Sequence, residues 1–148
     1  MSTRDEPSFA FTHQVRDHCL CLQVQRTARA LARRFDDAFR PVGLTQGQFS
    51  LLTSLNRAAP PTIGDVAELL ALDRTTLTAN LKPLERRKLV KVTVDAEDRR
   101  SRRLILTPAG RAVLAAAAPI WKRAHAQAEW LLTRASPDLV RKSLRELC

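Results

Sequence analysis

Along residues 12–40 the side chains Cys21, Val24, Ala28, Leu31, Phe35 and Ala38 recur at alternating steps of three and four. That period puts them on one stripe of an α-helix and predicts one long helix over the segment. Arg26, Arg29 and Arg33 fall on a different face of it. A narrow apolar seam on so long a helix packs more naturally against a partner than around a monomeric core. Pro41 and Gly43 end the segment, as a ring without an N–H and a flexible residue do at a helix stop. Thr45 is a good N-cap for a second helix whose Phe49, Leu52 and Leu55 turn inward. Ala59-Pro60-Pro61 breaks it. Thr62 with Asp65 three residues on is a capping-box variant, and it opens a short helix through Val66, Ala67, Leu69 and Leu70.

Leu72-Asp73 is a tight break, and Asp73 caps the next helix, which runs to Arg87. Leu77, Leu81 and Leu84 share its inner face, and Arg74, Thr75, Thr76, Thr78 and Lys82 its outer one. Pro83 belongs to its final turns or kinks it. Two short helices joined by so brief a turn make a helix-turn-helix. Leu89–Val94 and Arg103–Thr107 then alternate as strands, around the charged stretch 95–102. Together they predict a β-hairpin with a basic tip, a wing. A helix starts near Pro108 and runs to about Arg134, interrupted at Pro119, and Ser136-Pro137-Asp138 opens a last one to about Leu147. The expected fold is mainly α with a small β-hairpin wing, in a single domain 1–148 whose winged helix-turn-helix lobe spans 45–106.

Charge sharpens this picture. The chain carries 25 Lys and Arg against 15 Asp and Glu, a net +10. Residues 72–104 hold ten of those basic and five of those acidic side chains, so half the excess sits on 33 of 148 residues. That concentration points to an anionic partner, nucleic acid before membrane. A DNA major groove about 12 Å wide admits one helix. Arg74 can there pair with guanine, Thr75, Thr76 and Thr78 can meet phosphates or thymine methyls, and Lys82 lies nearer the backbone. The wing arginines can enter a narrow minor groove.

Other chemistry finds little support. The four glycines form no phosphate loop and no Ser/His/Asp or Cys/His set stands out, so an enzyme is not expected. The three histidines lack metal-ligand spacing, and neither a metal nor a cofactor is expected. No apolar run reaches the length of a membrane span. Met1–Glu6 lacks the layout of a secretory leader, which predicts a cytoplasmic protein without a membrane partner. Cys19, Cys21 and Cys148 make no disulfide framework; within a helix, Cys19 and Cys21 point to different faces.

The run Leu69–Val90, then Asp98-Arg99-Arg100 and Leu106-Thr107-Pro108-Ala109-Gly110, resembles the MarR family over roughly residues 12–147. In that family a recognition helix is followed by a strand, a wing bearing Asp-x-Arg, and a Leu-Thr-x-x-Gly lead into a dimerisation helix. The resemblance implies that Asp98 steadies Arg100, which reaches the minor groove, with Arg99, Arg102 and Arg103 as added basic reach. It implies a homodimer joined through helices 12–40 and 108–147, with two recognition helices set on a palindromic stretch of double-stranded DNA, and a transcriptional role, with repression expected. One position departs: the family usually has Gly where Lys88 stands. If that residue is left-handed, Lys costs on the order of 1 kcal/mol relative to Gly.

The resemblance also implies a switch. A small-molecule effector would fill the cleft between the dimer arms and the DNA-binding lobe, with Phe35, Phe39, Phe49 and Trp121 as candidate walls and core packing as their plainer role. Cys21 lies about where hydroperoxide-sensing members keep a reactive cysteine. Those members stabilise it with tyrosines, and this chain has none; its place on the seam also predicts a buried, inert thiol. A sequence-independent architectural DNA binder is the further alternative.

Overall fold

A computed structural model describes residues 6–148. Met1–Asp5, which carry most of the reading of the N-terminus, lie outside the described residues. The chain forms helices α1 (Phe9–His18), α2 (Leu20–Phe39), α3 (Gln46–Ser54), α4 (Ile63–Leu69) and α5 (Arg74–Arg86). Strands β1 (Val90–Val94) and β2 (Arg102–Leu106) follow, then α6 (Pro108–Trp130) and α7 (Pro137–Arg145). The mostly helical chain with one antiparallel hairpin is the expected class, Val90 pairing with Leu106 and Val94 with Arg102.

The N-caps Thr45, Thr62, Asp73 and Ser136 are those the sequence offers, the first two closing capping boxes with Gln48 and Asp65, and Thr107 adds another by accepting the Gly110 N–H. Two expectations fail. The stretch 12–40 is not one helix, because Cys19 adopts an extended conformation, with ψ 109°. Its sulfur caps α2 by accepting the Leu22 N–H, while Gln23 Nε2 spans the break to the Arg16 carbonyl at 2.9 Å. Nor does Pro119 interrupt α6, which runs unbroken through it. A proline there removes one N–H from the ladder, and a 23-residue helix has enough remaining bonds to absorb that loss.

The core sits in the lobe. Phe39, Leu51, Leu52, Val66, Leu77, Leu81, Leu84, Leu104 and Leu106 are fully buried, drawn from α2's last residue, α3, α4, α5 and the hairpin. Outside the 45–106 lobe, Leu44 and Ala117 also join this buried cluster. Most of the large exposed apolar side chains lie elsewhere: Phe9, Phe11 and Val15 on α1, Val24 and Leu31 on α2, and Trp130, Leu131, Leu139 and Leu144 at the chain's far end. Cys21 is exposed too in the single chain. The seam that holds it is uncovered in the single chain. Among the described residues no helix is long and apolar enough to cross a membrane.

Two close contacts lock the lobe to α6. Lys88 is left-handed, with φ 57°, and its carbonyl accepts the Thr107 hydroxyl at 2.8 Å. Gly110 comes so close to this turn that a Cβ would stand 2.2 Å from the Leu89 carbonyl oxygen. The spacing Leu106-Thr107-x-x-Gly110 thus has a steric cause: Thr107 caps α6 and bonds back to the turn, and only Gly fits beneath it.

Candidate nucleic-acid interface

Asp73 begins the outer face of α5. Its carboxylate accepts both the Thr76 N–H and the Thr76 hydroxyl at 2.7 Å. Those bonds, the backbone one foremost, hold its pKa below the ordinary carboxylate value. Thr78 donates its hydroxyl to the Arg74 carbonyl at 2.8 Å. Of the three threonines expected to face outward, Thr76 is therefore turned into the cap, and Thr78 offers its methyl and lone pairs rather than its proton. Arg74, Thr75, Thr78 and Lys82 do come together, lining one open depression with Ala79. Ala79 was not among the residues singled out from sequence, because a small side chain carries no chemical signal. Its role is the space it leaves at the centre of that face.

Two further contacts fix α5. The Arg74 guanidinium lies over Gly64, where a Cβ would stand 3.2 Å from Nη2, and so rests on the first turn of α4. At the other end Arg87 Nη1 donates to the Gly43 carbonyl at 2.7 Å. Gly43 itself is left-handed, φ 67°, which aims that carbonyl at Arg87.

The wing is built around Asp95, a buried acid with 7% exposure. It accepts the Glu97 N–H at 2.8 Å and Arg103 Nε at 2.5 Å. These contacts, led by the Glu97 backbone bond, hold its pKa down. Arg103 Nη1 also donates to the Pro60 carbonyl, and Leu104 N–H to that of Pro61. Arg103 is thus not added reach but a fastener: it ties the wing's root to the loop before α4, and so to the helix-turn-helix.

Asp98 acts on the backbone rather than on a guanidinium. Its carboxylate accepts the Arg100 N–H at 2.9 Å and its carbonyl accepts the Ser101 N–H, a side-chain turn that shapes the tip. Arg102 curls onto the wing, donating to the Arg99 and Ser101 carbonyls. Arg99 and Arg100 are exposed, and among the described residues neither guanidinium forms a hydrogen bond or an ion pair with the protein. The arrangement is a small-residue and hydroxyl face with a cation at each end, next to a rigid loop bearing two uncommitted guanidinium groups. Such a surface can meet a groove and its flanking phosphates together.

The candidate effector residues separate. Phe39 is fully buried and stacks on Phe49 with centroids 4.6 Å apart, and Phe35 packs on Phe39 at 6.0 Å. These three are packed together, but Phe39 is core rather than a free wall. Trp121 is partly exposed and stacks on His125. Cys21 is exposed, its sulfur accepting from Gln25 Nε2 at 3.4 Å.

Comparison with known proteins agrees with this geometry. The family profile described as MarR family matches residues 42–101. The M. tuberculosis transcriptional regulator MosR, solved in complex with DNA, is 36% identical with a TM-score of 0.80, over 88% of this chain and 93% of that one. The transcriptional repressor CouR, bound to a 23-mer DNA duplex, is 30% identical with a TM-score of 0.78, over 90% and 94%. The transcriptional activatory protein BadR of Rhodopseudomonas palustris is 34% identical over 97 residues, 64% of this chain and 55% of BadR. The chain spans little more than half the length of the curated relatives it matches.

Proposed function

The chain belongs to the MarR family of winged helix-turn-helix regulators, and we propose that it is a sequence-specific, DNA-binding transcriptional repressor acting as a homodimer in the cytoplasm. It is a binding protein rather than an enzyme. The observation that carries this reading is the pairing of the Arg74-Thr75-Thr78-Lys82 face with the uncommitted Arg99 and Arg100 of a fastened wing. Arg74 and the threonines read base edges in the major groove, Lys82 contacts phosphate, and the wing arginines enter the minor groove. Helices within 12–40 and 108–147 join the two subunits, and the lobe 45–106 holds the DNA. A dimer presents two such lobes to a palindromic site. A small molecule bound between arms and lobe, near Phe35, Phe49 and Trp121, lowers the affinity.

Repression is favoured by the likeness to CouR, a repressor; BadR is an activatory protein, so the sign is read from a reporter with the selected operator. The test of recognition is selection from a duplex pool, followed by anisotropy at two salt concentrations. Arg74→Ala should relax one base position by about 10- to 100-fold, and Arg100→Ala should weaken the selected site sharply. Equal binding to all duplexes would instead show an architectural protein.

The Gln25 amide donating to the Cys21 sulfur at 3.4 Å, as a thiolate-stabilising donor would, favours a second reading of the switch. A hydroperoxide would transfer one oxygen to the Cys21 thiol, giving a sulfenic acid and an alcohol, and the altered α2 seam would release DNA. If Cys21→Ser protein still releases its site on hydroperoxide treatment, that reading is wrong.

A further inference from the structure

The α2 seam has a counterpart on the other side of the same helix. Arg26, Arg29 and Arg33 follow one another at i, i+3 and i+7, and with Gln23, Thr27 and Ala30 they line an open depression of about 430 Å³. At 100° per residue this stripe lies roughly 150° around the helix from Cys21, Val24, Ala28 and Leu31. A second subunit seated on the seam therefore leaves the stripe facing outward.

Among the described residues none of these three guanidinium groups has a carboxylate within ion-pair distance; Arg29 reaches only the Gln25 side-chain oxygen, at 3.3 Å. The acids of α2 are occupied elsewhere: Asp36 accepts the Gln46 N–H, and Asp37 pairs with Arg40. Like charges three and four residues apart on a helix repel, so the stripe is held against a cost that an anion would remove.

The shape selects the anion. Among the described residues, side chains of α2 alone line the depression, and no second element closes it. A small acid needs walls that bury most of its surface, whereas a linear polyanion needs only a row of cations. Seven residues of helix span about 10 Å, and a DNA strand presents a phosphate for each 3.4 Å or so of its axis. We propose that the Arg26-Arg29-Arg33 stripe is a second, sequence-independent DNA site, which holds the phosphate backbone of another duplex while the lobes hold the operator. The dimer carries two such stripes and bridges separate DNA segments.

The full-length protein, saturated with the selected operator, is titrated with a labelled random duplex. Wild-type protein captures the second duplex, and three phosphate contacts make that capture fall about fortyfold between 50 and 200 mM salt. Arg26→Gln/Arg29→Gln/Arg33→Gln protein loses capture and keeps its operator affinity, while the corresponding triple Lys variant retains both. Should selection yield no operator, the operator reading has failed on its own, and random-duplex stoichiometry tests the stripe, wild type binding more duplex than the Gln variant. The proposal is overturned if no second duplex is captured, if the Gln variant captures it equally, or if operator affinity falls in parallel. It is also overturned if polyglutamate displaces the duplex as readily as unlabelled DNA does, which would mark an acidic-protein surface.

Discussion

Two backbone positions decide how the DNA-binding lobe meets its stalk. Lys88 is a side-chain-bearing residue in left-handed conformation, and Gly in its place removes a strain on the order of 1–2 kcal/mol. The extra freedom of Gly in the unfolded chain takes back part of that. Lys88→Gly should therefore raise the melting temperature by about 1–3 °C at fixed protein concentration; an unchanged or lower value would mean that the lysine side chain contributes a contact worth the strain. Gly110 is the opposite case. A Cβ there meets the backbone oxygen of Leu89 at 2.2 Å, which cannot swing aside as a side chain can. Gly110→Ala should destabilise by about 3 kcal/mol, and a thermal melt within a degree of wild type would refute the contact. Lys88 was legible in the sequence as a departure from its family, whereas the left-handed Ala71 carries no comparable mark. Nor was Asp95 legible: nothing in Asp95-Ala96-Glu97-Asp98 says which acid turns inward, because Arg103 and Pro60 come from other parts of the chain.

At the scale of elements, the helix caps and the wing share a chemistry that acid can undo. Asp65, Asp73 and Asp95 all have pKa values below the usual 3.8, each chiefly through a backbone N–H bonded to its carboxylate. Their unfolded pKa is the higher one, so the unfolded state binds protons first as the pH falls. The stability they contribute is complete above about pH 5 and is lost as pH drops through 3.8 and then through the folded values. The urea midpoint of wild-type protein should fall between pH 5 and pH 3, and less steeply in Asp73→Asn protein, since asparagine caps without titrating. Parallel slopes for the two proteins would locate acid sensitivity elsewhere. Periodicity and caps revealed nearly every element here, because a cap acts over three residues and a helical stripe over seven. What they missed was the break at Cys19, where a thiol takes a role usually held by Ser, Thr, Asp or Asn.

The molecule as a whole is divided between a lobe that closes on itself and a stalk that does not. The lobe exposes few large apolar side chains, Leu69 and Val94, while Phe9, Val24, Leu31, Trp130, Leu139 and Leu144 stand open on α1, α2, α6 and α7. Uncovered apolar surface of that extent is what a second copy would remove from water. Sedimentation should therefore give twice the 16.6 kDa chain mass. Leu31→Glu places a charge on the seam while leaving the lobe's core untouched, and it should shift the protein toward monomer. Because two half-sites joined in one dimer gain from effective concentration, the monomer should lose about a hundredfold or more in operator affinity. A variant that sediments as a monomer yet binds the full palindrome as wild type does would mean that each lobe reads its DNA alone. The exposed seam would then have to be assigned to some other partner.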